Sequence, residues 1–273
     1  MGDRRGPGFY ILAAFFGLFV LFLYGPLSTI IILSFQGPDG GLTFPMNGMS
    51  VHWFGNLFEK QAVGDFGGSF RRSLILGLMV MAVTTVVSLL AGLAFRRRFL
   101  GATPLFYLAV SSLVVPSILV SLGVGIAFQV IGLRPAWWSS AFGAQLTWTL
   151  PFGVLIMFAV FNRFSPAYEE AARDLGASSW QTFRFVVLPM IAPSLVGVAL
   201  FGFTLSYDEF ARTLMTAGTY NTLPLEIYGM TTNVTTPVLY ALGTVTTVFS
   251  FLVIALALAA IVALGRRRAR LPG

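Results

Sequence analysis

Long apolar blocks separated by short polar stretches run the length of the chain. Six of them read as spans: Phe9–Leu33, Leu74–Phe95, Leu105–Ile131, Ala141–Phe161, Ile191–Phe210 and Tyr240–Leu264. Each is near the ~20 residues that a helix needs to cross a hydrocarbon core. Unpaired backbone groups are costly in lipid, so blocks of this length predict helices. The pattern therefore predicts an all-α membrane protein with six transmembrane helices. Pro26, Pro116 and Pro151 fall inside blocks, where each should kink its helix or mark an unwound turn. The first block follows Arg4 and Arg5 as a signal peptide would. Its apolar run exceeds the ~7–15 residues of a signal core and lacks a clear small-residue cleavage site, so it is read as an uncleaved span.

The basic residues between blocks orient the spans, because cytoplasmic loops are enriched in lysine and arginine. With the N-terminus inside, the cytoplasmic pieces hold Arg4, Arg5, Arg96, Arg97, Arg98, Arg163, Arg173, Arg184, Arg266, Arg267, Arg268 and Arg270, twelve of the seventeen basic residues. The outer pieces hold Lys60, Arg71, Arg72, Arg134 and Arg212. Both termini and the loop at 162–190 are thus expected in the cytoplasm. The Arg71-Arg72 pair is a local exception, expected to snorkel to the outer interface at the start of the second span. The outer loop at 34–73 carries Trp53, Phe54, Phe58, Phe66 and Phe70. This suits a short helix on the membrane surface or an aromatic belt anchor.

The cytoplasmic loop reads as helix, turn, helix. Ser165 is placed to cap a first helix with Pro166 as its first residue, running from Tyr168 to Leu175. Gly176 stands where a left-handed terminator belongs. Ser178 and Gln181 form an S-x-x-Q capping box for a second helix, which Pro189 is expected to stop. Ala171, Ala172, Leu175, Trp180, Phe183 and Val187 give this unit an apolar side, and Glu169, Glu170, Arg173, Asp174 and Arg184 a charged rim. The residues alone leave two readings equally open: a surface on which a partner docks, or a helix pair that covers the end of the bundle.

Composition excludes several kinds of chemistry. The chain of 273 residues is 56% hydrophobic and 10% charged, with a mean hydropathy of +0.84. It has no cysteine and one histidine, so disulfides, thiolate sites and multi-histidine metal sites are excluded. His52 alone in an aromatic loop reads as an interfacial or hydrogen-bonded residue. The only lysine is Lys60, and no G-x-x-x-x-G-K-[ST] occurs, so the chain has no P-loop of its own. No cofactor is expected. The net charge of +7 reads as span orientation rather than a nucleic-acid surface. Asn233-Val234-Thr235 matches a glycosylation sequon only weakly.

The stretch Glu170-Ala171-Ala172-Arg173-Asp174-Leu175-Gly176, followed by Val186-Val187-Leu188-Pro189, resembles the EAA loop of bacterial ABC importer permeases. The family pattern has E-A-A, a glycine six residues after the glutamate, and I-x-L-P after nine more. Each anchor is matched except that Val186 replaces isoleucine. The resemblance covers most of the chain and is strongest to the spermidine/putrescine-type branch. It extends over Trp53-Phe54, Ser73-Leu74, Thr204 through Glu209, and Leu223 through Tyr228. Arg72 stands where the branch often has asparagine, so no role is carried to it.

This resemblance implies the permease subunit of a binding-protein-dependent importer of type I fold, one transmembrane domain over 1–273 in the bacterial inner membrane. Separate ATPase subunits would bind and hydrolyse ATP. They would dock on Glu170, Ala171, Ala172, Asp174, Gly176, Trp180, Phe183, Leu188 and Pro189. A second, non-identical permease and an external substrate-binding protein would complete the complex within membrane lipid. Polyamines or a similar small cationic or organic solute would be the cargo.

Tyr207, Asp208 and Glu209 close the fifth span, roughly 28 Å of helix beyond Pro189. Adjacent carboxylates beside an aromatic ring suit an ammonium group on a substrate path. The competing reading is structural, an ion pair of Asp208 with Arg212 at i+4 or simple interfacial solvation. Glu226, in the loop after Pro224, is another candidate contact, with a solvated loop acid as the preferred reading. A stand-alone transporter or channel would need charge deep in several spans, which this chain lacks. Only the docking loop argues against a purely structural membrane subunit.

Overall fold

In the computed structural model, residues 6–59, 64–97, 99–233 and 236–269 are described. Arg4, Arg5, Lys60, Arg98, Arg270 and the Val234-Thr235 part of the sequon lie outside them, as do the side chains of Arg266, Arg267 and Arg268. The elements are all helical: α1 Pro7–Leu33, α2 His52–Asn56, α3 Phe66–Phe95, α4 Ala102–Ser111, α5 Ser117–Val130, α6 Phe142–Asn162, α7 Ala167–Asp174, α8 Ser179–Thr182, α9 Leu188–Tyr207, α10 Leu223–Asn233 and α11 Val238–Ala269. Short π-helical turns at Trp137–Ala141 and Phe183–Val187 lead into α6 and α9.

Five of the expected spans are single helices long and apolar enough to cross a membrane. The third is not. Its sequence block is split into α4 and α5, with residues 112–116 unwound ahead of Pro116. Proline has no N–H to donate and disfavours helical backbone in the residue before it, so the break falls there. Pro26 and Pro151, by contrast, remain inside α1 and α6.

The second span begins earlier than its apolar block. Phe66, Phe70, Arg71 and Arg72 all lie in α3 rather than in a loop before it. Gly67, Gly68 and Ser69 read as loop in sequence, yet the Ser69 hydroxyl donates to the Phe66 carbonyl at 3.0 Å and is buried. Arg72 does not simply snorkel. Its Nε donates to the Asn221 carbonyl at 2.7 Å, and its guanidinium lies over the Tyr220 ring.

The chain divides into two compact units, residues 1–65 with 229–249, and residues 66–228 with 250–273. In the first, the loop after α1 is closed on Gln36, which is fully buried. Its side chain donates to Gly41 O at 3.1 Å and accepts from Asn47 N at 2.9 Å. Tyr240 at the start of α11 donates to Leu42 O at 2.6 Å. The aromatics of the segment between α1 and α3 divide. Phe54 packs on Phe35, whereas Phe58 stays exposed, and His52 bonds to Asn56 within the single-turn α2.

The second unit is built on α3, α6 and α9, which pack on one another. Met157, Phe161, Val187, Ile191 and Val198 form one apolar cluster, and Leu76, Val80 and Ala141 another. Small residues let these helices approach. A Cβ on Gly92 would stand 2.9 Å from Met157 and the Phe161 ring, and one on Gly153 would collide with Ser88. Apolar burial gives little drive between helices in lipid, so close backbone approach and interhelical hydroxyl bonds hold such bundles together. Thr84 bonds to Thr149 at 3.0 Å, Ser206 bonds to Gln145, and Ser73 accepts from Leu223 N at 2.8 Å.

Candidate functional site

The segment at 162–190 is a capped helix–turn–helix. Pro166 is the cap residue of α7, and Ser165 makes no side-chain cap, so the start is one residue later than expected. The end is a Schellman motif: Ala177 N donates to Ala172 O at 3.0 Å and Gly176 N to Arg173 O at 2.8 Å. Gly176 has φ +84°, where a Cβ is strained. Ser178 and Gln181 close a reciprocal capping box, 2.7 Å and 3.3 Å.

The second helix does not stop at Pro189. It passes through the π turn at 183–187 into α9, with Pro189 in the first α-helical turn after it. The missing N–H is tolerated there. The α8 segment is thereby one continuous rod with a membrane-length helix.

The loop residues fall on two sides. Glu170, Ala171, Asp174, Gly176, Trp180 and Pro189 are exposed, as is Leu175. Leu175 is 90% exposed and Trp180 64%, and none of the described residues covers them. Ala172, Phe183 and Leu188 are half-buried. Phe183 packs on the Met157–Phe161 cluster beneath while its ring meets Trp180 at 5.7 Å. Val187 is buried in that cluster and belongs to the core rather than to any outward face. Beneath α7, Glu169 receives Arg96 of the α3 end at 2.6 Å and Arg173 at 3.4 Å. Arg96 also lies over the Phe161 and Phe164 rings.

At the other end of α9, Tyr207 is buried, stacked on Phe203 at 5.8 Å and edge-on to Phe70 at 6.3 Å. Asp208 is exposed and Glu209 buried, so the two acids do not act as one surface. The Asp208–Arg212 ion pair is not formed. Arg212 turns inward and is 2% exposed. Its Nη1 donates to Ser117 Oγ at 2.6 Å and its Nε to Thr147 Oγ1 at 3.2 Å, and its guanidinium sits 4.7 Å from the Trp148 ring centre. Glu209 instead caps the following turn, accepting from Arg212 N at 2.6 Å. Glu226 is not a solvated loop acid either: it is buried and accepts from Asn221 at 2.9 Å.

Arg212 is the residue that sequence reasoning missed. Its partners lie 65 and 95 positions away, and the one local signal is the run of hydroxyl and small residues after it. Thr213, Thr216 and Ala217 are all buried, and Ser121 and Ser140 bond to the backbone of Met215 and Thr216. The segment after α9 is thus held between α5 and the start of α6.

Comparison with known proteins follows these features. The family model "Binding-protein-dependent transport system inner membrane component" matches residues 84–270. The spermidine/putrescine transport system permease protein PotC of Haemophilus influenzae is 28% identical over 250 residues, covering 91% of this chain and 95% of the relative. The putrescine transport system permease protein PotI of Escherichia coli K12 is 25% identical over 231 residues, 82% of this chain and 80% of the relative. Among solved structures, a bacterial ABC transporter involved in import of the acidic polysaccharide alginate aligns with a TM-score of 0.66. It has 16% identity over 100% of this chain and 99% of that one. The MetNI methionine ABC transporter, inward facing, aligns at 0.56 with 18% identity over 73% of this chain and 95% of that one. At these identities the structures speak for the fold.

Proposed function

The chain belongs to the family of inner membrane components of binding-protein-dependent transport systems, and we propose that its α7–α8 loop is where an ATPase subunit docks. As a permease component of such a system it is a multi-pass membrane protein and not itself the ATPase. The ATPase is proposed to bind the exposed face of Glu170, Ala171, Asp174, Gly176 and Trp180, with Ala172, Phe183, Leu188 and Pro189 forming its support. The observation that carries this is the pairing of a rigidly capped loop with uncovered Leu175 and Trp180. Exposed aromatic anchors at the centre of a rigid surface are what partner grooves take up.

In this reading α4 and α5 together make the third of six spans, both termini are cytoplasmic, and 1–273 is one transmembrane domain. A second, non-identical permease and an external binding protein complete the importer. ATP binding favours one global state of the pair, and the rod from α8 through α9 carries that bias into the membrane. The cargo is proposed to be a polyamine or a similar small cationic solute, by likeness to PotC and PotI, with Asp208, the exposed one of Tyr207, Asp208 and Glu209, on its path.

The test is Gly176→Asp. A non-glycine residue at φ +84° costs about 1–2 kcal/mol, and the new carboxylate stands on the docking face. The variant should insert normally, lose its ATPase in mild-detergent affinity purification, and take up substrate at background rate. An intact complex with normal uptake would sink the docking role. For the cargo, Asp208→Asn should raise the KM for labelled spermidine or putrescine several-fold while the ATPase stays bound. An unchanged concentration dependence removes Asp208 from the path.

A further inference from the structure

A cavity of about 580 Å³ opens under the inner side of α7. Its polar lining is Arg96, Arg97, Arg173 and Glu169. Its apolar lining is Leu93 and Ala94 of α3 and Phe183 of the π turn. Three guanidinium groups face one carboxylate, leaving two positive charges in excess. Arg96 is committed, with its ion pair to Glu169 and its place over two phenylalanine rings. Arg173 meets the same carboxylate at 3.4 Å and is mostly exposed. Among the described residues no carboxylate pairs with Arg97.

We propose that this cavity binds the phosphate of an anionic phospholipid headgroup. Guanidinium forks match phosphate oxygens in bidentate geometry, and a partly enclosed site strengthens the attraction. The tail also has a place. Val86 and Leu90 are exposed on α3 and, with Ala94 and Arg97, follow one another at helical spacing up to the cavity. From Val86 to Arg97 this stripe rises roughly 16 Å. That is close to half of a ~30 Å hydrocarbon core, the length one acyl chain covers. A free phosphate compound would use the arginines and leave the stripe unused.

The ATPase is not the favoured occupant. Glu169 and Arg173 are one helical turn apart on the inner side of α7, whereas Leu175 and Ala171 lie on its outer, uncovered side. The inference rests on the cytoplasmic placement of this loop proposed above, but its readout is lipid retention, which is independent of uptake and of ATPase docking.

The test is native mass spectrometry of the delipidated complex, and of the permease chain when no ATPase is retained. Dioleoylphosphatidylglycerol, dioleoylphosphatidylcholine and glycerol 1-phosphate are the probes. Phosphatidylglycerol should be held more tightly than phosphatidylcholine or glycerol 1-phosphate. The Arg97→Gln/Arg173→Gln double variant should bind it roughly thirtyfold more weakly. Arg97→Lys/Arg173→Lys, which keeps both charges but lacks the fork, should bind at a level between wild type and the glutamine variant and controls for folding. Equal retention of the two lipids, or an unaffected glutamine variant, overturns the proposal. Glycerol 1-phosphate bound as tightly as phosphatidylglycerol overturns the lipid source. Loss of the ATPase from the glutamine variant with lipid retention unchanged overturns it in favour of a protein contact.

Discussion

Arg212→Met is expected to destabilise the protein by about 1.5–3 kcal/mol for each of the two charged hydrogen bonds it removes, and to abolish uptake. Methionine keeps much of the side-chain volume and takes away the donors. Ser117 and Thr147 then lose the group that joins the N-terminus of α5 to α6. Glu209, buried beside it and still accepting from the backbone N–H of residue 212, loses the nearby positive charge. Because the helix breaks ahead of Pro116, α5 is tied at its start by this side chain and further along by Ser121 on Met215 N. Arg212→Lys should fall between, since an ammonium keeps the charge but lacks the planar fork that reaches two hydroxyls at once. Chemical denaturation in detergent and uptake in vesicles give the two readouts. Adding Glu209→Gln to Arg212→Met should recover part of the stability, because contacting groups are not additive. Wild-type stability for Arg212→Met would show that the buried arginine is not holding the break together.

The contrast between Arg212 and Gly176 explains what the chain discloses in sequence. Gly176, Ser178 and Gln181 act within a few residues of one another, and their chemistry has one local use each. The capped turn was therefore legible, to within one residue at Pro166. The apolar blocks were legible for the same reason, since crossing a membrane is a property of one segment. Arg212 has the same sequence neighbours that an interfacial arginine would have. Only the return of the chain between α5 and α6 makes it a core residue, and that depends on hydroxyl partners far along the chain. The split third span was half legible. Pro116 marks a breaking point, but Pro26 and Pro151 stay inside unbroken helices, so proline alone does not decide. The early start of α3 was hidden because Ser69 and Ser73 look like loop residues until their hydroxyls find carbonyl and amide partners inside the bundle. The exposed face of the α7–α8 loop was legible as amphipathic. Its division into an outer side and an inner side carrying Phe183 and Val187 required the neighbouring helices.

Arg96→Glu is expected to cut uptake at least about tenfold while ATP hydrolysis by the assembled complex continues. An exposed ion pair is worth only ~1 kcal/mol or less. The Arg96–Glu169 pair is stronger on geometry, at 2.6 Å with side chains 23% and 13% exposed, and with the arginine held over Phe161 and Phe164. It joins the end of α3 to the inner side of α7. α3 in turn packs along α6 and α9. If the ATPase moves α7, this pair is a direct link by which α3 follows, alongside the covalent rod into α9. Two carboxylates in its place repel, and α7 can then move without taking α3 with it. ATP would still be bound and hydrolysed, because the outer docking face is untouched, but the membrane helices would not complete their change of state. The reversed pair, Arg96→Glu with Glu169→Arg, should restore a substantial part of uptake, which a variant that merely unfolds the loop would not. Uptake and ATPase rates measured on the same proteoliposomes separate the outcomes. Uptake and hydrolysis falling together in Arg96→Glu would mean that the pair supports docking itself. Normal uptake in that variant would leave the rod through α8 and α9 as the sole mechanical connection.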